Sequence, residues 1–272
     1  MTKLELIGDV SGSPLREVDL LLVHGICAGA WIWQEGSMVD VAQAGYRTWA
    51  LSFLFDHSGD DAPWQVLDRY TCDLDEALNQ IGRPTVVIAH SLGGAVAQNL
   101  LRRGRHLEGT VLLCSVPPYG LWRASLEMLA FKPDLWQAVA FLSLFGMRWT
   151  DMNVLRRYLF PGGMDDATFI RLCAKLKDES LFAMGSVMGW RPIAPLPLSH
   201  INVLVVGCTE DCLVPEIDVR LTAAYYKVQP HIIEGAGHMP MMEAAGKHAT
   251  QIILDWLSRL RARRRLPTAC VI

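Results

Sequence analysis

The sequence lacks any apolar run long enough to cross a bilayer. Its longest central stretch, Ala138 to Met147, is about half the ~20 residues a spanning helix needs. The amino-terminal Met1-Thr2-Lys3-Leu4-Glu5-Leu6 lacks the apolar core of a secretory signal, so the expected location is cytoplasmic. An excess of one charge is also missing. With 25 Lys and Arg against 28 Asp and Glu, the formal net charge of −3 gives no reason to expect nucleic acid or an anionic membrane as partner. The seven cysteines are an odd number without framework spacing, which fits free thiols in a reducing compartment. Cys208 and Cys212 have no His or Cys cluster near them, which argues against zinc. No phosphate loop or other cofactor motif is visible, so no cofactor is expected.

What is present is a large, apolar chain. At 272 residues it can be one large domain or two small ones, and 51% of its residues are hydrophobic. A chain of this size buries roughly 75% of its unfolded surface and needs no staples. Short apolar runs alternate with longer amphipathic segments. Val18–Val23, Arg47–Phe53, Thr85–Ile88, Val111–Cys114, Val203–Gly207 and His231–Ile233 read as buried strands. Leu4–Ile7 adds an antiparallel edge strand. Ala30–Ala44, closed by Gly45, reads as a helix. So do Trp64–Ile81, with Pro63 at its start and Gly82 at its stop, and Glu243–Arg261. This alternation predicts an α/β fold, a mostly parallel doubly wound sheet with helices on both faces.

Residues 119–198 break the pattern. They are helical in periodicity and rich in Trp, Phe, Met and Leu. They are bounded by Pro117-Pro118 and by Pro192-Ile193-Ala194-Pro195-Leu196-Pro197. The expected organisation is a core of residues 1–118 and 199–272, with 119–198 inserted as a helical cap. Trp122, Phe131, Trp136, Phe141, Phe145 and Trp149 give the cap an apolar stock, a third of it expected to line a pocket and the rest to be core.

The most informative stretch is Ala89-His90-Ser91-Leu92-Gly93-Gly94. It follows one apolar run and leads into a helical one, so Ser91 sits on a tight strand-to-helix turn at the carboxyl end of the sheet. The G-x-S-x-G pattern is matched except that Ala89 stands at the first Gly. A serine hydroxyl needs a general base, and the base needs a carboxylate to fix its tautomer. Both follow strands downstream. Asp211 lies in the loop after Val203–Gly207, and His238 in Gly235-Ala236-Gly237-His238 after His231–Ile233. Glu210, one residue earlier, is the rival acid. His90 reads as structural and buried, and His24 as a brace for its own loop.

These segments, with Leu22-Val23-His24-Gly25 and the tryptophans Trp31 and Trp33 just after it, resemble the α/β-hydrolase fold superfamily from Val18 to Leu260. Ser91 stands at the position of the nucleophile, with the order Ser, Asp, His. The resemblance implies catalytic Ser91, Asp211 and His238, and an oxyanion hole of the Ile26 and Leu92 backbone N–H groups. His24-Gly25-Ile26-Cys27-Ala28-Gly29-Ala30-Trp31-Ile32-Trp33 is similar to the plant methylesterase and hydroxynitrile lyase branch. The lyases carry Thr after His-Gly and Lys after the catalytic His, where this chain has Ile26 and Met239. Ester hydrolysis is therefore expected. The expected substrate is a small to medium apolar ester, thioester or lactone, cleaved through an acyl-enzyme on Ser91. A lactonase, a C–C bond hydrolase and an acyl transferase would share the same residues. A small-ligand receptor retaining the fold is the reading from another class. The sequence leaves the oligomeric state open.

Overall fold

A computed structural model of the chain describes residues 3–8, 17–36, 39–53, 65–178, 181–188, 193–195 and 201–265. Pro63, Trp64, Pro192 and 196–198 lie outside the described residues, so neither the helix start at Pro63 nor the far boundary of the inserted segment can be placed.

Seven strands form one sheet in the order β1-β3-β2-β4-β5-β6-β7. They are β1 (Lys3–Gly8), β2 (Asp19–Val23), β3 (Thr48–Ser52), β4 (Thr85–His90), β5 (Gly109–Leu113), β6 (Val203–Cys208) and β7 (Pro230–Ile233). Only the edge strand β1 runs antiparallel, with Glu5 opposite Ala50 of β3. Strands β2 to β7 are parallel, so every loop that follows one of them emerges on the same sheet edge.

The parallel strands read as continuous apolar runs because both faces are covered. In β2, Leu20 and Leu22 face one core and Leu21 and Val23 the other. The first core packs on α1 (Trp31–Glu35), α2 (Val39–Gln43) and α11 (Gly246–Arg265). The second packs on α3 (Val66–Ile81) and α4 (Leu92–Arg102). Helix α10 (Glu216–Tyr225) joins β6 to β7 and contributes Val219 and Ala223 to a smaller core against Leu112, Val203 and Val205. The chain steps from β2 to β3 on one side and then crosses to β4 on the other. The β2 and β4 loops therefore diverge from adjacent strands, the arrangement that opens a crevice in such sheets.

One expected helix is broken. Ala30–Ala44 forms α1 and α2 as separate short helices, with Gly36 extended at the end of α1. A Cβ on Gly36 would come within 2.4 Å of the Met241 carbonyl oxygen. A glycine-level approach to a distant loop overrides the helical periodicity there.

Between β5 and β6 every described element is helical, among them α5 (Trp122–Phe131), α6 (Pro133–Phe145), α7 (Met152–Leu159), α8 (Asp166–Cys173) and α9 (Leu181–Met188). Pro133 ends α5 and opens α6, where its missing N–H costs nothing. Asp151 caps α7 through the N–H groups of Asn153 and Val154, and Asp165 caps α8 through that of Thr168. Met128, Leu135, Ala138, Val139 and Leu155 make a small core of their own. This segment is tied to α10 by a charged fork. Arg123 donates from Nε and Nη2 to the two oxygens of buried Asp218 at 2.7 and 2.6 Å, and the Tyr119 hydroxyl adds a third donor at 2.6 Å.

Candidate active site

The turn that carries Ser91 is strained. Ser91 has φ 52° and ψ −118°, a backbone conformation few non-glycine residues adopt. Neighbouring backbone holds it there. Its N–H donates to Leu113 O at 3.1 Å, and its carbonyl accepts from Gly94 N at 3.0 Å and Val116 N at 3.2 Å. The two following glycines exist because nothing larger fits. A Cβ on Gly93 would lie 2.5 Å from His24 O, and one on Gly94 would lie 1.9 Å from Ser115 Oγ. From the β2 loop, Gly25 approaches so closely that its Cβ would come within 2.9 Å of the Ser91 Cβ.

His238 Nε2 lies 2.9 Å from Ser91 Oγ, and its Nδ1 lies 2.8 Å from Asp211 Oδ2. All three residues are buried. The other Asp211 oxygen, Oδ1, accepts the N–H groups of Leu213 and Val214, each at 2.9 Å. A carboxylate fixed in this way accepts from Nδ1–H, which leaves the Nε2 lone pair facing the serine hydroxyl. The arrangement can move the serine proton to His238. Glu210 is exposed, its carboxylate 3.4 Å from Thr209 Oγ1, and it is Asp211 that reaches the imidazole.

Two further histidines brace the site without carrying charge. His24 Nε2 accepts from Phe53 N at 3.1 Å, so its Nδ1–H donates to Gly25 O at 2.7 Å. Burial pushes its pKa down to about 4. His90 Nε2 donates to the backbone carbonyl of His238 at 2.9 Å, and its buried Nδ1 has no hydrogen-bond partner. Burial, with the neighbouring His238 ring, lowers its pKa to about 3.

Glu243 was not singled out in the sequence. It accepts Gly237 N–H at 2.8 Å, and it also receives the N–H of Gly162 from the α7–α8 loop. Burial pushes its carboxyl pKa above the usual value. The only sequence signal is an acid just beyond Met239-Pro240, in a turn whose direction a sequence does not show.

Ile26 and Leu92 both border the cavity over Ser91. Leu92 opens α4, where backbone N–H groups lack intrahelical partners. The cavity, of about 130 Å³, is walled by Leu121, Met128, Val139, Leu142, Met184 and Met188 among others, with Ser125 as the polar side chain on the α5 side. The expected aromatic lining is corrected. None of Trp122, Phe131, Trp136, Phe141, Phe145 and Trp149 borders the cavity, and all six are exposed. Helices α5 and α6 are apolar on both sides, so the sequence pattern does not say which side faces in. No group of His, Cys, Asp and Glu able to hold a metal occurs among the described residues. Nor does any described helix have the length and apolarity to cross a membrane.

A family model described as alpha/beta hydrolase matches residues 20–249. The chain belongs to the alpha/beta hydrolase family. No curated protein matches it in sequence. A putative aryl esterase from Burkholderia cenocepacia has 19% identity and a TM-score of 0.71, over 96% of this chain and 95% of that one. An esterase from Exiguobacterium antarcticum is similar at 14% identity and TM-score 0.72, over 94% and 95%. A bromoperoxidase from Bacillus anthracis is similar at 16% identity and TM-score 0.67, over 95% and 100%. At these identities the three share the fold with this alpha/beta hydrolase.

Proposed function

We propose that the protein is a serine hydrolase that cleaves an apolar carboxylic ester through an acyl-enzyme on Ser91. The observation that carries this reading is the chain of contacts from Asp211 through His238 to Ser91, at 2.8 and 2.9 Å. His238 takes the serine proton as Oγ attacks the carbonyl carbon, then returns it to the leaving alcohol. Water repeats the sequence on the acyl-enzyme. The Ile26 and Leu92 N–H groups receive the oxyanion, and losing one such donor costs about 3 kcal/mol in comparable sites. His24, bonded to Gly25 O, holds the backbone that precedes Ile26.

The apolar walls of the cavity favour a small to medium uncharged ester, thioester or lactone over a charged polymer. We read residues 119–198 as the cap that selects it and 1–118 with 199–272 as the core. The free thiols of the described cysteines fit a reducing compartment such as the cytoplasm. The test is hydrolysis of short-chain p-nitrophenyl esters by the wild type, Ser91→Ala and His238→Ala. Turnover that both variants retain in full contradicts the assignment.

A further inference from the structure

Behind the Ser91 turn lies a buried amide that the proposed chemistry does not use. Gln98 sits on α4, fully buried, and it does not border the cavity. Its Nε2 donates to Val116 O at 2.8 Å and lies 3.2 Å from both Gly94 O and Ser115 Oγ. Its Oε1 accepts from the hydroxyl of Tyr226, at the end of α10, at 3.1 Å. Carbonyl oxygens only accept, so the NH2 group faces Gly94 and Val116 and the Tyr226 hydroxyl meets the oxygen. The side chain therefore has one orientation.

The two residues it grips are the two that hold Ser91. Gly94 N and Val116 N both donate to Ser91 O, at 3.0 and 3.2 Å. Ser91 N in turn donates to Leu113 O at 3.1 Å, so residues 113–116, at the exit of β5, form a jaw beside the serine turn. The jaw is itself strained, with Cys114 at φ 43°.

We propose that Gln98 is a positioning residue for Ser91: its amide locks the exit of β5 to the first turn of α4 and so keeps the serine hydroxyl against His238. This rests on the hydrolase reading above. Ser91, at φ 52°, persists in its conformation only while its surroundings over-determine it. Gly94 and Val116 do so, and Gln98 ties one to the other across the turn. Without it Val116 O keeps the hydroxyl of Ser115 at 3.0 Å, a bond within the jaw that does not fasten it to α4. Ser91 Oγ lies 2.9 Å from His238 Nε2, and a misplacement of about 1 Å at such a site can cost roughly 10²-fold in rate.

The neighbouring Asn99 supplies the contrast. It is equally buried on the same helix, but it donates to Asp68 Oδ1 and Thr71 Oγ1, each at 2.9 Å. Both partners belong to α3, so Asn99 fastens helix to helix and not the serine turn.

The test compares Gln98→Met, which keeps the shape and loses both polar groups, with Tyr226→Phe and Asn99→Leu. Each is assayed for hydrolysis of a short-chain p-nitrophenyl ester, for the second-order rate of fluorophosphonate labelling at Ser91, and for its melting temperature. Gln98→Met should lose about 10- to 100-fold in both kcat and labelling rate with KM little changed, since it shifts the nucleophile and does not itself border the cavity. Tyr226→Phe should lose less, and the double variant no more than Gln98→Met, because the hydroxyl acts through the amide. Asn99→Leu should melt below the wild type and keep its kcat. If Gln98→Met melts too low to assay, Tyr226→Phe carries the comparison: slower labelling supports the proposal and a wild-type rate overturns it. Wild-type labelling by Gln98→Met, or a loss of kcat in Asn99→Leu as large as its own, overturns the proposal and leaves the hydrolase reading standing. A wild type that neither turns over ester nor takes the label overturns the hydrolase reading, and the proposal falls with it.

Discussion

Glu243 grips the backbone of Gly237, one residue before His238, at 2.8 Å. His238 is thus held at both ends, by Asp211 on its ring and by Glu243 and His90 on its flanking backbone. Glu243→Ala strips a partner from the Gly237 N–H and should cost about 1–3 kcal/mol of stability. If His238 is the general base proposed, kcat should fall more than KM rises, because Glu243 holds the backbone beside His238 and does not border the cavity. Glu243→Gln keeps an acceptor and should recover most of the loss. The Glu243 carboxyl pKa is raised above 4.5 by burial, so ionising it opposes folding. Thermal melts should therefore show Glu243→Gln gaining on the wild type as pH rises from about 4.5, with no gain below it.

Asp211 and Glu210 are adjacent and differ in consequence. Asp211→Asn leaves Nδ1 of His238 without its anionic acceptor and should lower kcat by about 10⁴-fold. Glu210→Gln should stay within about twofold of wild type, since surface carboxylates contribute little. Steady-state kinetics of the pair would separate them. Equal losses would return Glu210 to candidacy.

His24 and His90 are neutral in the folded protein, with pKa values of about 4 and about 3. The unfolded chain takes up these protons near pH 6.5, well before the native state can. Stability should hold above pH 6.5, then fall as pH drops toward 3. Denaturant melts across that range would show it. A flat profile would mean that both imidazoles are hydrated.

Glycine substitutions should split by space. Gly94→Ala forces a methyl onto Ser115 Oγ, a 1.9 Å approach, and should destabilise by about 1–3 kcal/mol. Gly185, exposed within α9, has nothing within 4 Å, so Gly185→Ala should stabilise by about 0.5–1 kcal/mol. Melting temperatures of the two variants would check the contrast.

The sheet was legible because its strands are buried on both faces. Leu20 to Val23 and Val86 to Ala89 could hardly be anything else. The positions of Ser91, Asp211 and His238 just past strand ends followed from that. Less legible was anything set by distant approach. Gly36 breaks a well-formed helical pattern to clear Met241, and Glu243 acts through a turn whose direction is tertiary. The aromatic residues of α5 and α6 were misplaced for a different reason. Periodicity separates apolar from polar faces, and these helices have apolar residues on both.

The proposed hydrolysis requires Ser91 to be a nucleophile activated by His238. Mass spectrometry after treatment with a fluorophosphonate probe tests this most directly. A single adduct on the peptide containing Ser91, abolished by His238→Ala, is the predicted result. An unlabelled wild type, or an adduct on another residue, would contradict it and favour a protein that binds its ligand without reacting.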